Sequence, residues 1–576
     1  MTQLFQDKLC AAYIESKRDR LKHILYRLNH RELASKLEYH PHGTMIKEII
    51  LYFYCYKWLR RFVHPRYYDK VIFQSRHKTY DFLVDILIHS SDEEQFLKNY
   101  ILHCSKPEYV TQAPHNFKAK LFYEYHNNNL NSCVSEILSV WSRLGYLMDT
   151  EAHQIAEEAR TQHRIYDDIY SDNDKERLSI IDRLQCHHNS DDSLCFEKLA
   201  LIPTFKCSTG CRHCLFIWRP GLKKLYEKTK LFDLVNNHAK NVLFTGGDLT
   251  QYCEDFFNAI KMMSAVENFA ILLNGRFADT KEKAEQFMES INAALKERKR
   301  KGWKNAFITV QISFDEFHQE VLIDRKGKFY ERVSVSNIVN IMESSSAFDS
   351  ISVVLLHKQN PYNFSDALIN KGVFARLAHE CSQRKRRIKI ITCAASPIQK
   401  IHPVSGKKTC SMITDIHFLL SNGHEKVFTL NSSLVESLGR ARFLESTEYV
   451  SAENIRDYSA SGRIEGEKFD SDLMLWYNGW VTTFAAPHLI LGNLFDDNFG
   501  TILTRWYKDP LLGYLKNFNP KLIYFYKEIA SDYEQVYAES SSHVNLFTNI
   551  IRSSAVRLYL TKRILIDLRD KGKIDV

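Results

Sequence analysis

The alternation of apolar and polar positions divides the chain into two textures. From residue 1 to about 195, apolar residues recur every three or four positions over Lys17–Leu28, Met45–Phe62, Tyr80–Ile88, Val134–Leu147 and His153–Ile169. That spacing predicts helices burying one face each. Breaks fall at Pro41-His42-Gly43, Lys106-Pro107 and Asn127-Asn128-Asn129, and the polar stretch Cys186–Cys195 reads as a linker. From Leu199 onward the period changes. Short runs rich in β-branched and apolar residues predict strands at Ala200–Phe205, Asn241–Thr245, Phe269–Leu273, Ala306–Ser313, Ser350–Leu356 and Arg387–Thr392. Helical patterns separate them at Leu222–His238, Tyr252–Val266, Asp279–Lys301, Arg332–Ser345 and Asp366–Arg384. Strand–helix alternation of this kind implies a parallel sheet, as a partial barrel or an open doubly wound sheet. In either case ligands bind at the C-terminal ends of the strands.

After Thr392 the pattern becomes irregular. Asn478-Gly479, flanked by aromatic and β-branched residues, is a two-residue hairpin signal. A helical pattern follows at Phe499–Tyr507, and Leu522–Leu568 reads as an amphipathic helical tail. Ala394–His424 reads as an insertion.

Composition adds little to this picture. With 576 residues, 44% apolar and 26% charged, the chain has an ordinary globular profile. The net charge of +9 makes no case for nucleic acid. The basic runs Lys296–Lys304 and Arg384–Lys389 both end predicted helices, where positive charge complements the helix dipole. Met1–Cys10 has no basic-then-apolar signal, and the longest apolar stretch, Ile49–Tyr56, is far short of the ~20 residues of a spanning helix. A soluble, cytoplasmic protein is expected. Its 13 cysteines are then reduced, and a spaced set of them suggests metal ligands or catalytic thiols.

One such set stands out. Cys207, Cys211 and Cys214 follow the first predicted strand with C-x3-C-x2-C spacing. At this cysteine frequency chance supplies such a triplet on the order of 0.007 times per chain. Three thiolates on one short loop can hold one metal centre and leave a coordination position open, as a catalytic centre requires. The competing reading is a structural zinc completed by His213 or a distant residue. Cys381, Cys393 and Cys410 match no cluster spacing, nor does the Cys186-His187-His188…Cys195 group.

The triplet, with His213 in an aromatic slot, resembles the cluster motif of the radical S-adenosylmethionine (radical SAM) superfamily. Three further stretches resemble that family's marks in order. They are Thr245-Gly246-Gly247-Asp248 after the second strand, Leu273-Asn274-Gly275 after the third, and Ser313-Phe314-Asp315 after the fourth. The resemblance covers about 199–395 and implies a partial (β/α)6 TIM-like barrel. It implies that Cys207, Cys211 and Cys214 bind a [4Fe–4S] cluster, and that Gly246, Gly247, Asp248, Asn274, Ser313 and Asp315 contact S-adenosyl-L-methionine. Asp248 departs from the family's Glu and is one methylene shorter. The implied chemistry is reductive cleavage of S-adenosylmethionine and hydrogen-atom abstraction from a substrate, with a flavodoxin- or ferredoxin-like electron donor.

Ser437–Arg442, the hairpin at Asp472–Phe484 and Leu491-Gly492-Asn493 resemble the SPASM/twitch appendage of such enzymes. No cysteine follows Cys410, so no cysteine-ligated cluster can lie within it. The expected organisation is therefore a helical domain (1–195), a radical SAM core (196–395), an insertion with a small α+β SPASM/twitch-like region (396–520), and a helical tail (521–576). A peptide or protein substrate is the reading taken, with a nucleotide or small metabolite as the alternative. A zinc-stabilised interaction protein without catalysis is the alternative of another class.

Overall fold

Leu199–Ile202 is a run of four apolar residues, all buried, which fits a strand covered on both faces. In the computed structural model it is β1, an interior strand, fourth of eleven in the main sheet. The structure describes residues 170–184, 195–215, 222–323, 329–359, 372–395, 400–401, 408–409, 412–419, 425–435 and 468–570, apart from single positions 208, 212, 223, 539 and 541. The helices expected before residue 170 and the Ser437–Arg442 motif lie outside these residues.

Strands β2 (Asn241–Phe244), β3 (Asn268–Leu273) and β4 (Phe307–Ser313) follow β1 side by side, all parallel. After a small hairpin of β5 (Val321–Ile323) and β6 (Phe329–Glu331), β7 (Ile351–Gln359) joins β4, also parallel. Helices α2 (Lys228–His238), α3 (Cys253–Met262), α4 (Lys281–Arg300), α5 (Val335–Ser345) and α6 (Gly372–Gln383) alternate with these strands, after α1 (Asp172–Arg183). The result is a mixed α/β fold built on a parallel sheet.

Alternation along β3 and β4 shows where the core sits. Phe269, Ile271 and Leu273, with Ile308, Val310 and Ile312, are buried in one cluster with Phe256, Met288, Ile338 and Leu377 of the helices. The intervening Ala270, Leu272, Thr309, Gln311 and Ser313 are only partly buried. One face of the sheet is thus sealed by helices, and the other is more open.

The sheet departs from the sequence reading in its outer strands. Arg387–Ala395 is a strand, β8, but it does not lie beside β7. Two further strands stand between them: β11 (Met412–Leu419), within the expected insertion, and β12 (Glu425–Leu434), just after it, numbered after a short ribbon of β9 (Lys400–Ile401) and β10 (Lys408–Thr409). β12 pairs parallel with β7, and β11 is antiparallel to both β12 and β8. Edge-to-edge insertion of this kind is invisible to periodicity, which detects strands but not their neighbours.

At the other edge β13 (Leu473–Trp476) pairs parallel with β1, and β14 (Trp480–Thr483) and β15 (Ile490–Asn493) continue antiparallel. The 476–480 connection is a three-residue loop rather than the expected two-residue one. Gly479 N–H donates to Trp476 O at 2.8 Å and Gly479 has φ +83°. That geometry is a type I turn closed by a left-handed residue.

The basic helix end at Lys296–Lys304 is partly interior. Arg298 is 1% exposed and its guanidinium donates to the carbonyls of Ile260, Met263 and Val266. It satisfies carbonyls at and just beyond the end of α3 that helix geometry leaves unpaired.

The tail forms α7 (Phe499–Lys508), α8 (Pro510–Lys516), α9 (Lys521–Lys527), α10 (Tyr533–Ala538), α11 (His543–Ile550) and α12 (Ser554–Asp570), with a core of its own around Leu515, Leu522, Phe547 and Leu560. Two buried ion pairs tie α1 to this tail. Arg557 meets both oxygens of Asp174 at 2.9 and 2.8 Å, and Arg177 bonds Asp509 and the Ile490 carbonyl. No helix among the described residues is long and apolar enough to cross a membrane.

Removing one partner of a buried pair strands the other charge without water. Asp174→Ala is expected to cost about 3–5 kcal/mol of unfolding free energy in a urea titration. Asp172→Ala, whose carboxylate is fully exposed, should leave the urea midpoint in place.

Candidate functional site

Parallel pairing of β1 to β4 sets their C-terminal ends along one edge, so the loops following them are neighbours. All four stretches singled out in the sequence follow these strands. The cysteine loop leaves β1, the Gly246-Gly247 turn leaves β2, Asn274-Gly275 leaves β3, and Ser313–Asp315 ends β4.

The first two loops are locked together by backbone. Gly247 N–H donates to Thr204 O at 2.7 Å, and Asp248 N–H donates to Lys206 O at 2.8 Å. This approach explains both glycines. A Cβ on Gly246 would lie 2.4 Å from Thr204 O, and one on Gly247 would lie 2.3 Å from Lys206 O. Gly246 also has φ +132°, which side-chain-bearing residues rarely adopt. Asp248 then caps the turn that follows, its Oδ1 accepting from Thr250 N–H and Oγ1–H at 3.1 and 2.7 Å. Beside this clasp opens a cleft of about 870 Å³, lined in part by Thr204, Cys207, Asp248, Tyr252, Arg276 and Phe257.

The three cysteines carry free thiols, Cys211 buried and Cys207 and Cys214 partly so. Cys214 N–H donates to Cys211 O at 3.3 Å, closing a tight turn between those two. The Thr209 hydroxyl lies 2.9 Å from the Cys207 sulfur. Burial pushes the Cys211 thiol up, but the charge and hydrogen bond of His318 beside it, with Arg332 and the Thr209 hydroxyl, bring it down to about 7. Cys211 is therefore substantially thiolate at neutral pH, the form in which a cysteine binds metal.

The charges responsible come from the segment after β4. Asp315 is 1% exposed. Its Oδ1 accepts from the backbone N–H of Phe317 and His318 at 2.9 and 2.8 Å, and both oxygens lie 3.0–3.1 Å from His318 Nδ1. His213 Nε2 lies 3.5 Å from Asp315 Oδ2, and the His213 ring stacks on Phe317 at 4.4 Å. Burial alone would raise the Asp315 pKa, but the neighbouring His318 and His213 rings and these hydrogen bonds hold it far below the usual carboxylate range. Burial alone would lower the His318 pKa, but Asp315 and Cys211 hold it well above its usual value.

Arg332 completes the enclosure. It bonds the Thr209 carbonyl and meets Glu320 Oε2 at 2.6 Å, tying the cysteine loop to the β4–α5 connection. On α5, Asn337 and Asn340 donate to Gly275 O and Ala278 O at 3.1 and 2.9 Å, fixing the turn after β3. In that turn Asn274 is 8% exposed. Its Oδ1 accepts from Arg276 N–H, while its buried Nδ2 has no partner among the described residues.

The sequence-derived residues thus fall into groups. Cys207, Cys211 and Cys214 lie on one loop, clasped by Gly246, Gly247 and Asp248. Asn274 and Ser313 end the adjacent strands. Asp315 turns its carboxylate to His318, His213 and backbone amides, which is the capping role of a loop carboxylate. Cys381 is buried in the helical core, and the side chains of Cys393 and Cys410 lie outside what is described. The sequence reading missed His318, Arg332 and Glu320. The Asp-x-x-His spacing of Asp315 and His318 was visible, but nothing in it pointed to Cys211.

No known protein-family profile matches the chain. A Bacillus subtilis (strain 168) protein, YydG, whose name assigns it to peptide biosynthesis, is 25% identical over 158 residues. That match spans 26% of this chain and 42% of the relative, less than half of either.

The clasp has a direct test. Gly247→Ala should lower the thermal midpoint by pushing Lys206 away, at a cost of about 1–3 kcal/mol. Gly513→Ala, in a helix with nothing within 4 Å of the added methyl, should hold or raise the midpoint.

Proposed function

We propose that the chain is a radical SAM enzyme acting on a peptide or protein. The observation that carries the reading is the meeting of four motifs at the C-terminal ends of four adjacent parallel strands, with the cysteine loop clasped by the glycine turn. In this reading β1 to β4, β7 and β12 make the partial (β/α)6 barrel, with β12 in the sixth place where the sequence suggested Arg387–Thr392. β13 to β15 then belong to a cysteine-free SPASM/twitch-like region.

The donor set fits the cofactors. Three free thiols on one loop, one of them substantially thiolate at neutral pH, suit three irons of a [4Fe–4S] cluster. The adjoining cleft is roomy enough for a small-molecule ligand. When bound, the cluster and S-adenosylmethionine supply one-electron cleavage and hydrogen-atom abstraction.

The chain's own contribution is positioning. Gly246 and Gly247 bring backbone against the cysteine loop where any side chain would hold it off. Asn274 offers a buried amide donor for a polar group of the ligand. Asp248 keeps Oδ2 clear of hydrogen bonds among the described residues, so it can meet a cationic amino group. Ser313 remains a candidate for a ribose hydroxyl, whereas both oxygens of Asp315 are already engaged by protein. The peptide substrate draws on the name of the Bacillus relative. The electron donor would be a flavodoxin- or ferredoxin-like protein.

A second reading has one observation in its favour. His213, Asp315 and His318 place nitrogen and oxygen atoms within 4.8 Å of one another, next to the Cys211 thiol. Cys, His and Asp donors suit zinc. The first reading is preferred because the second leaves Cys207, Cys214 and the glycine clasp without a role.

Anaerobic reconstitution with iron and sulfide decides between them. A brown protein that converts S-adenosylmethionine to 5′-deoxyadenosine under reduction is expected, and Cys211→Ala should abolish that conversion. A colourless protein that retains zinc would overturn the proposal.

A further inference from the structure

We propose that Asn337, on α5, is a positioning residue that aims the buried amide of Asn274 at the ligand through a single peptide unit. The inference rests on the reading above, in which Asn274 meets S-adenosylmethionine. It adds a residue from a helix that none of the motifs includes.

Asn274 is 8% exposed, so its amide must be satisfied by protein or by ligand. Its Oδ1 accepts from the backbone N–H of Arg276 at 3.0 Å, which settles which end of the amide is oxygen. The reverse assignment would set an NH2 donor against an N–H donor. Nδ2 therefore points away from that N–H, and it is buried with no partner among the described residues. What this side chain offers to a ligand is a pure donor. It suits an acceptor, such as a carboxylate or hydroxyl oxygen or a ring nitrogen, and does not suit an ammonium group.

The direction of the donor is set by the peptide unit that joins Gly275 to Arg276. Its N–H end holds Asn274 Oδ1. Its carbonyl end, Gly275 O, accepts from Asn337 Nδ2 at 3.1 Å and from Ala278 N–H at 3.3 Å. A peptide unit is planar and stiff, so gripping its carbonyl fixes the direction of its N–H. The Asn274 amide is planar as well, so fixing Oδ1 fixes Nδ2. Two hydrogen bonds and two rigid planes thus connect α5 to the donor that faces the ligand. Gly275 makes the grip necessary. At φ +82° it has no side chain to restrain it, and glycine is the residue most free to swing.

The helix is a firm base for this grip. Its first turn is bolted to the hairpin, because Glu331 Oε2 accepts from Val335 N–H at 2.9 Å and from the Ser334 hydroxyl at 3.0 Å. Ile338 packs against the turn so closely that a Cβ on Gly275 would lie 3.2 Å from its Cδ1. Asn340, one turn further along α5, supplies a comparison within the same helix. It donates to Ala278 O at 2.9 Å and is held in turn by Arg384 at 2.7 Å, but it is bonded to neither end of the 275–276 unit.

The test is a double-mutant cycle on affinity, read by equilibrium dialysis of labelled S-adenosylmethionine against the anaerobically reconstituted full chain. Iron content and thermal midpoint are measured alongside. Asn274→Ala should weaken binding about tenfold, the size expected for one buried hydrogen bond. Asn337→Ala alone should weaken it about fivefold, but by less than about twofold when residue 274 is already alanine, because the two act as one unit. A residue that merely stabilises the fold would weaken binding by the same factor in both backgrounds. Equal factors would therefore overturn the inference, as would an unchanged affinity in either single variant. Asn340→Ala should lower the thermal midpoint while holding affinity within about twofold, since it leaves the 275–276 unit gripped. A loss there as large as in Asn337→Ala would reduce both residues to general support of the turn and would also overturn the inference. If Asn337→Ala does not fold, Asn337→Asp, which keeps the volume and removes the donor, decides by the same cycle. A folded wild-type chain that holds iron yet binds no S-adenosylmethionine is a failure of the enzyme reading, and it shows before any variant is compared.

Discussion

The site depends on one close approach of two backbones. Two hydrogen bonds, Gly247 N–H to Thr204 O and Asp248 N–H to Lys206 O, bring the turn after β2 within a Cβ's radius of the loop after β1. Everything else around the cysteines is built outward from that contact. The parallel pairing of β1 and β2 places the two loops in reach, and the absence of side chains at 246 and 247 lets them close. Once closed, the cysteine loop has a fixed side. Its other side is fixed by Arg332 on the Thr209 carbonyl and by His318 at Cys211. The loop is therefore held by charge on one flank and by backbone on the other.

These two flanks differ in how they are written in the chain. The backbone flank is local and chemically distinctive: a Gly-Gly pair at a strand end announces a turn, and three cysteines at C-x3-C-x2-C spacing stand out from chance. The charged flank is assembled from residues more than a hundred positions away. Asp315, His318, Glu320 and Arg332 are unremarkable types for a loop, and their meaning arises only when β4 places them beside β1's loop. Sequence reading found Asp315 by its place at a strand end, and assigned it outward to a ligand. In the structure its carboxylate meets two backbone amides and two imidazoles, partners that no local pattern announces.

The same division holds for the fold. From Leu199 to Gln383 the main-sheet strands and the helices were legible because burial on one or both faces imprints a period of two or of 3.6, whereas the three-residue strands β5 and β6 were too short to show one. Pairing order was not. Arg387–Ala395 carries an apolar run that any reader would place next to β7, yet β11 and β12 occupy that position. Likewise Arg298 was legible only as a charge at a helix end. Its burial against the carbonyls at and just beyond the end of α3 depends on how α3 and α4 lie against each other, which no local pattern encodes.

The pairing of β1 with β13 has a consequence in time rather than in space. Ala200 is paired in register with Met474, so two neighbouring interior strands of the sheet are far apart along the chain. During synthesis β1, β2, β3 and β4 can assemble early, but one edge of β1 stays open until residues 473–476 leave the ribosome. At about 5–20 residues per second that interval lasts on the order of 14–55 seconds. Throughout it, a short apolar strand carrying unpaired N–H and C=O groups is presented to any other chain nearby. The nascent protein is most vulnerable to wrong pairing just where its cysteine loop begins, and prompt closure by β13 is as much a requirement of its folding as of its finished shape.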